Sequence, residues 1–389
     1  MYRFALSISK EFSFGDLCLF FINYLLSRKI DKNLSIYIYD FNTDKQSEEN
    51  YNFFLRLLEL LNIKDINIYH QSQNLKFYQQ FATKLLMDKY AYNCFCEVQN
   101  RTKCFNRCKD LTDIEVLNCE RPFSIRIDAE KKELNDSILL NIKKLPTIEF
   151  TSTIDDMLND ISLVVDRKNI DITNNSNYIR DVLGYKNKIK YIDIDLSKVD
   201  KLSVKELLEE GYLPQSILSL ITSMIFERNT ILEIENIIAN FEKKDLEKLH
   251  FIFDKKELNK INRFFINRIE PLTLSTYIGY SSRDIGELAK LFTKNSDTIT
   301  QIKSKIDIIF SKKEPKHYQK EFESIKKLVK DAPYFNDFDN FLEYLSKKSA
   351  LDDKVLNEIL NEIFGLEDSK IEFKDIYKYL KNYLGEIIK

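Results

Sequence analysis

The longest early apolar run is Leu17 to Leu26 (LCLFFINYLL), interrupted only by Asn23, inside a stretch from Gly15 to Arg28 that reads as helix. Residues 2–9 (YRFALSIS) alternate loosely before it, and Leu34 to Phe41 (LSIYIYDF) after it has the β-branched and aromatic content of a strand. A helix through Phe53-Phe54-Leu55 and Leu57-Leu58, a strand over Asp65 to His70 and a helix over Leu75 to Tyr90 follow. Strands alternating with helices of this length predict a parallel sheet with crossover helices. Residues 93–145 break the rhythm with a Cys-rich stretch and two strands, Phe123 to Asp128 and Ile138 to Ile142, as an insertion between two halves of an α/β domain would. Asp155 to Val165 resumes helix then strand, and Ile189 to Ile194 is a further strand.

From Val204 onward large apolar residues recur at three- and four-residue spacing, as in Leu213, Ile217, Leu220 and in Leu246, Leu249, Phe253. Apart from turn signals at Pro271, Gly279, Pro315 and Pro333, this half reads as helix after helix, with no internal repeat and no low-complexity linker. The expected divisions are a first α/β half over 1–92, the Cys-rich insertion over 93–145, a second α/β half over 146–203 and an all-α region over 204–389.

Composition narrows the class. The 389 residues are 44% hydrophobic and 31% charged, with a formal charge of −2, which describes a soluble globular chain large enough for two or three domains. Near-neutrality neither demands nor excludes nucleic acid, because 59 Lys and Arg can still gather on one face. The Lys-rich segments Lys303 to Lys320 and Lys326 to Lys330 read first as solvated helix faces. A run of ten residues with Asn23 inside it is about half of what a spanning helix needs, and no basic lead or small-residue cleavage site accompanies it. A buried helix in a cytoplasmic protein, with no membrane partner, is the expectation.

Glycine usage excludes two chemistries. The chain has seven glycines where average usage gives about 27, and only Gly15 precedes Gly184. A P-loop or a G-x-G-x-x-G turn needs several at fixed spacing so that backbone can approach phosphate, so neither lies in the first 183 residues. Compositional drift toward Lys, Ile, Asn, Phe and Tyr accounts for part of the scarcity.

Four of the six cysteines fall within fifteen residues, as Cys94-x-Cys96 and Cys104-x-x-x-Cys108. Two short-spaced pairs separated by a loop can place four thiolates around one tetrahedral zinc, and a closed all-thiolate site is structural rather than catalytic. The alternative is four ordinary buried thiols. Cys18 and Cys119 are assigned to the core.

Several strings then match a family in order along the chain. Arg3-Phe4-Ala5-x-Ser7 is similar to an R-F-A-P-S-P-T-G opening, and Gly15-Asp16-Leu17 with Asn23-Tyr24 to the segment after it. Tyr69 to Leu75 (YHQSQNL) and Tyr92 to Cys96 (YNCFC) resemble the stretch leading into a zinc-bearing insertion. Asp155-Asp156-Met157 through Asp160-Ile161 looks like the helix before an R-G-E-D-H turn, and Val204-Lys205 through Glu210-Gly211-Tyr212-Leu213-Pro214 like the segment after a K-M-S-K-R loop. With these the chain resembles bacterial glutamyl-tRNA synthetase, a class I aminoacyl-tRNA synthetase, over nearly its whole length. The resemblance implies a Rossmann-like catalytic domain, a zinc-type insertion, an all-α anticodon-binding half, and ATP with Mg, glutamate and tRNA as ligands. It implies no DNA partner.

The chemistry-bearing positions depart from that pattern. The family's H-I-G-H, whose histidines and glycine hold ATP phosphates at a helix N-terminus, corresponds to Ser13-Phe14-Gly15-Asp16, with an aspartate near the expected phosphate. K-M-S-K-R corresponds to Asp195-Leu196-Ser197-Lys198-Val199 after a shortened connection, which argues against a swinging lid. Arg3 survives as a counterpart of a glutamate-contacting arginine. The glutamate of I-R-I-E-D-T-D becomes Tyr39 with Asp40 retained, a pocket tyrosine becomes Ile148, and the R-G-E-D-H arginine becomes Asp166, followed by Arg167-Lys168-Asn169-Ile170. No catalytic set is intact. Arg3, Ser7, Gly15, Asp16, Asp40 and Lys198 are the vestigial substrate-site candidates, and Cys94, Cys96, Cys104 and Cys108 the metal candidates.

Three readings follow. The first is a synthetase paralogue that lost amino-acid activation and binds tRNA, an active synthetase or another protein. The second is an active glutamate–tRNA ligase, or an adenylate-forming enzyme for another substrate, with a rebuilt site. The third is a structural partner subunit of an active synthetase. A cleft above Gly15 that is open and basic would favour the second, and one filled by Phe12, Phe14 and Tyr39 would end it.

Overall fold

The computed structural model describes residues 2–41, 44–97, 103–167, 169–226, 234–242, 246, 249, 251–311, 313–314, 316–367 and 369–387. Lys168 and Pro315, singled out in the sequence, lie outside them. The chain forms two compact units, Met1–Lys205 with Ile221–Phe253, and Glu206–Leu220 with Asp254–Lys389.

The first unit opens with β1 (Arg3–Ser7), α1 (Phe14–Lys29), β2 (Leu34–Tyr39), α2 (Lys45–Leu60) and β3 (Ile66–His70). The strands pair in parallel in the order β1-β2-β3, with Arg3 opposite Ser35 and Leu34 opposite Ile66. Central β2 is buried from Leu34 to Ile38, as a strand covered on both faces must be, whereas edge strand β3 alternates half-buried and exposed positions. Helix α1 begins on a reciprocal capping box between Ser13 and Asp16 and carries Arg28 and Lys29 in its last turn. Every residue from Leu17 to Ser27 is buried, so the apolar run is a helix surrounded by protein rather than an amphipathic one.

Helix α3 (Leu75–Met87) leads into an antiparallel sheet of β4 (Ala91–Cys94), β5 (Ser124–Ile127) and β6 (Ile138–Leu140), with the short α4 (Asp113–Leu117) between β4 and β5. Tyr78, Ala82 and Leu85 of α3 share a core with Ile125, Ile127, Leu139 and Leu140 of this sheet. The chain continues through α5 (Ile148–Leu158), β7 (Leu163–Arg167), α6 (Ile170–Val182) and β8 (Lys190–Ile194). Strands β7 and β8 pair in parallel, with Asp166 opposite Asp193. The predicted parallel sheet is therefore split, since no ladder among the described residues joins β7 to β1. The Val165 carbonyl of β7 instead accepts a hydrogen bond from Asn23 Nδ2 of α1, at 3.1 Å.

Helices α7 (Val204–Glu209), α8 (Pro214–Phe226) and α9 (Ile234–Asn240) follow. The helical spacing of Leu246, Leu249 and Phe253 misleads, because Leu249 and 251–254 are irregular chain. Phe253 is held there by an edge-on contact with Phe14, 5.5 Å between ring centres, and apolar spacing cannot separate a helix face from a segment fastened by such a contact.

The second unit is helical, from α10 (Lys255–Ile266) through α11 (Pro271–Tyr277), α12 (Arg283–Lys290), α13 (Ile299–Phe310), α14 (Gln319–Lys330), α15 (Phe338–Ser349), α16 (Asp353–Ile363), α17 (Phe373–Leu380) and α18 (Leu384–Ile387). Ile302, Ile306, Phe322, Phe341, Ile359 and Phe373 are among the side chains closing its core. Gly286 lets α12 lie against α11, because a Cβ there would collide with the Pro271 backbone. No helix among the described residues is long and apolar enough to cross a membrane.

Candidate functional site

The N-terminus of α1 is the place to look for bound phosphate, because a helix start offers unpaired amides and the positive end of its dipole. Here three of the amides at this start are already engaged. Ser13 N donates to Asp16 Oδ2 (2.8 Å), Asp16 N to Ser13 Oγ (3.0 Å), and Phe14 N to the Leu202 carbonyl (2.7 Å). A bridge between Ser13 and Ser203 fastens the segment that follows β8 across this helix end.

Charge closes the same spot. Arg167, at the end of β7, donates through Nη2 to Asp16 Oδ1 (2.7 Å) and Asp200 Oδ1 (2.9 Å), and through Nε to both Asp200 oxygens. Burial works against the Arg167 charge, but Asp16 and Asp200 outweigh it and hold its pKa above the ordinary value. The Asp200 carboxylate also fills the space a Cβ on Gly15 would need. Gly15 thus makes room for an aspartate of its own chain. The K-M-S-K-R counterpart is packed down beside it, with Leu196 and Val199 buried. Lys198 is exposed on that turn.

Arg3 is similarly consumed. It is buried, with Nε 2.9 Å and Nη2 3.2 Å from the Asp156 carboxylate and Nη1 3.1 Å from Asp166 Oδ2. Burial disfavours its charge, yet the two carboxylates prevail and raise its pKa above the usual arginine range. Neighbouring Asp155 accepts from Gln71 Nε2 (2.7 Å) and from the Tyr78 hydroxyl (2.8 Å). Its own burial dominates those bonds, and its carboxyl is pushed up to about 6.

The remaining candidates are dispersed. Asp40 accepts from Ser72 N (2.8 Å) and Ser72 Oγ (2.8 Å) and lies 2.9 Å from His70 Nδ1, so it caps the turn after β3. Ser7 Oγ pairs with Ser9 Oγ. Phe12 and Phe14 belong to the core, Phe12 against Phe4 and Phe54, and the Tyr39 hydroxyl donates to the Pro146 carbonyl. Carboxylates and backbone, not these rings, occupy the α1 N-terminus. Sequence reading singled out Gly15 and Asp16 but missed Arg167 and Asp200 as their partners. The available signal was Arg167 directly after Asp166 in the string set against R-G-E-D-H, and Asp200 one residue past the string set against K-M-S-K-R.

In the insertion the four cysteines do converge. Sγ of Cys104 lies 3.7 Å from that of Cys94 and 3.7 Å from that of Cys96, Cys96 and Cys108 are 3.9 Å apart, and all four sulfurs fall within 4.8 Å of one another. Zinc–sulfur bonds of about 2.3 Å in a tetrahedron require sulfurs about 3.8 Å apart, so the group can hold such an ion. A left-handed residue at Arg107 turns the chain so that Cys108 faces Cys104, and Phe95 N points at Cys108 Sγ from 3.4 Å. Burial works against the Cys96 thiolate, but the backbone amides of Asn106 and Phe105 and the thiols beside it bring Cys96 down to about 7. Cys18 is core as expected, whereas Cys119 is only half buried, packed against this cluster.

In the second unit many of the lysines in the noted segments serve the fold. Lys305 donates to the Asn295 carbonyl (2.7 Å), Lys313 bonds the Ile308 and Ser311 carbonyls, and Lys303 pairs with Asp307 at 2.9 Å.

Residues 2–104 match the family of class I tRNA synthetases (E and Q), catalytic domain. The chain is 30% identical to glutamate–tRNA ligase 2 of Sulfurimonas denitrificans and 31% identical to glutamate–tRNA ligase 1 of Campylobacter concisus, covering all of each. Its fold is also that of a glutamate–tRNA ligase from Elizabethkingia meningosepticum crystallised in complex with its amino acid, with a TM-score of 0.69 at 15% identity over 99% of this chain and 97% of that one. The enzyme from Elizabethkingia anophelis gives 0.70 over 99% and 98%. By fold and by full-length sequence, the chain belongs to the glutamate–tRNA ligase family of class I tRNA synthetases.

Proposed function

We propose that this member of the family has lost amino-acid activation and acts by binding, with tRNA as the first partner and an active synthetase or another protein as the alternative. The observation that carries the reading is the Arg167–Asp16–Asp200 cluster on the N-terminus of α1. A triphosphate arriving there would meet two carboxylates against one arginine, and amides already bonded within the chain. Glutamate fares no better, since Arg3 is shared between Asp156 and Asp166 and the arginine expected opposite it is the aspartate. Losing one transition-state donor costs about 10²–10³ in rate, and here several are replaced or engaged.

The cysteine group is read as a structural zinc site. Four thiolates at tetrahedral spacing are a closed soft-ligand set, and the ion would supply the insertion with a cross-link rather than with chemistry. ATP and Mg are not expected to bind.

The rival reading, an active ligase with a rebuilt site, draws on the full-length match to relatives named as ligases. ATP–pyrophosphate exchange with each of the twenty amino acids, in the presence of total tRNA, separates the two. No exchange is expected, alongside a tRNA gel shift that weakens steeply with salt. Exchange above background with any amino acid overturns the proposal, and absence of the gel shift transfers the binding role to a protein partner, to be sought by co-purification with the cell's active synthetase.

A further inference from the structure

Arg126 is a fully buried side chain, on β5 within the insertion. Strand pairing sets Arg126 opposite Tyr92 and Ser124 opposite Cys94, so these four residues share one face of the sheet and Arg126 is the diagonal neighbour of Cys94. Its guanidinium donates through Nη1 to the Asp136 carbonyl at 2.8 Å. The Tyr92 hydroxyl and Ala129 N bind the Asp136 carboxylate, so the arginine is gripped by a small polar frame rather than lying loose in the core.

Four thiolates around a divalent ion carry a net charge of −2, which is costly to bury beside Cys94, Cys96 and Cys108, all shielded from solvent. A fixed cation on the same sheet face, diagonal to one of the ligands, offsets half of that charge. We infer that Arg126 is the buried counter-cation of the metal site, stabilising the loaded, dianionic tetrathiolate from its place beside Cys94. The inference rests on the zinc reading above.

The test uses the full chain, with zinc and cobalt(II) as the probes. Arg126→Gln keeps a donor for the Asp136 carbonyl and removes the charge. Competition against a chelator should show zinc held about 10- to 100-fold more weakly than in wild type, and the cobalt–thiolate charge-transfer band should be displaced. Arg126→Lys should recover most of the affinity while leaving the band displaced, because an ammonium cannot reproduce the guanidinium's fork. A folded Arg126→Gln protein with wild-type zinc affinity and an unchanged cobalt band overturns the inference and leaves the zinc site standing. Should Arg126→Gln fail to fold, Arg126→Lys decides alone: a displaced band supports the inference and an unchanged one overturns it. A wild-type chain that takes up neither metal overturns the zinc reading and the inference together.

Discussion

Arg3 on β1 reaches Asp166 on β7 across 3.1 Å, a cation and an anion on two strands that no hydrogen-bond ladder among the described residues connects. The second carboxylate, Asp156 on α5, is far more deeply buried than Asp166, with side-chain exposures of 2% and 41%. The two contacts should therefore differ in worth.

Asp156→Ala leaves Arg3 buried with a half-exposed partner and is expected to cost about 3–5 kcal/mol, whereas Asp166→Ala should cost about 1 kcal/mol or less. Urea unfolding of both variants checks the order. Equal losses would mean that the buried pair is not what holds β1 against α5.

Gly15→Ala is expected to destabilise the chain although alanine is the better helix former by about 1 kcal/mol. The added methyl must displace the Asp200 carboxylate and with it the Arg167 bond. In an Asp200→Ala background the same change should lose most of its cost. A double-mutant cycle measures the coupling, and simple additivity of the two changes would show that Gly15 and Asp200 do not compete for this space.

Asp155 brings a pH dependence of unusual sign. Its folded pKa of about 6 lies above the ordinary 3.8, so between those values the folded chain keeps a proton that the unfolded chain has released. Stability contributed by this group is fully present below about pH 4 and lost as pH rises toward 6, by about 3 kcal/mol at most. Comparing Asp155→Asn with wild type in unfolding series from pH 4 to 7 isolates it. The variant's curve should lack this slope, and parallel curves would refute the assignment.

On the zinc reading, chelating the metal, or replacing Cys108 by Ser, should loosen the insertion and leave the parallel strands intact. Hydrogen exchange is the measurement: amides of β4, β5 and β6 should lose protection while those of β1, β2 and β3 keep theirs. Loss of protection throughout the first unit would show that the insertion and the parallel sheet open together.

Much of the architecture was legible because hydrophobic periodicity is a local property. The LSIYIY strand, the Leu17–Leu26 helix and the succession of helices after Val204 declare themselves over a few residues each. The cysteine group was legible for the same reason, since its four thiols lie within fifteen residues and short loops restrict where their sulfurs can go.

The candidate site was legible only as a set of departures. Sequence alone set Ser13-Phe14-Gly15-Asp16, Asp166 and the Asp195–Val199 string against the family's ligand-binding motifs. Tertiary structure decided what the replacements do: Arg167 meets Asp16 across 151 positions, Arg3 meets Asp166 across 163, and Asp200 occupies the space that Gly15 leaves. An ion pair depends on distance in space, and nothing in the identity of an arginine or an aspartate says whether a neighbour 150 residues away will neutralise it or leave it for a ligand.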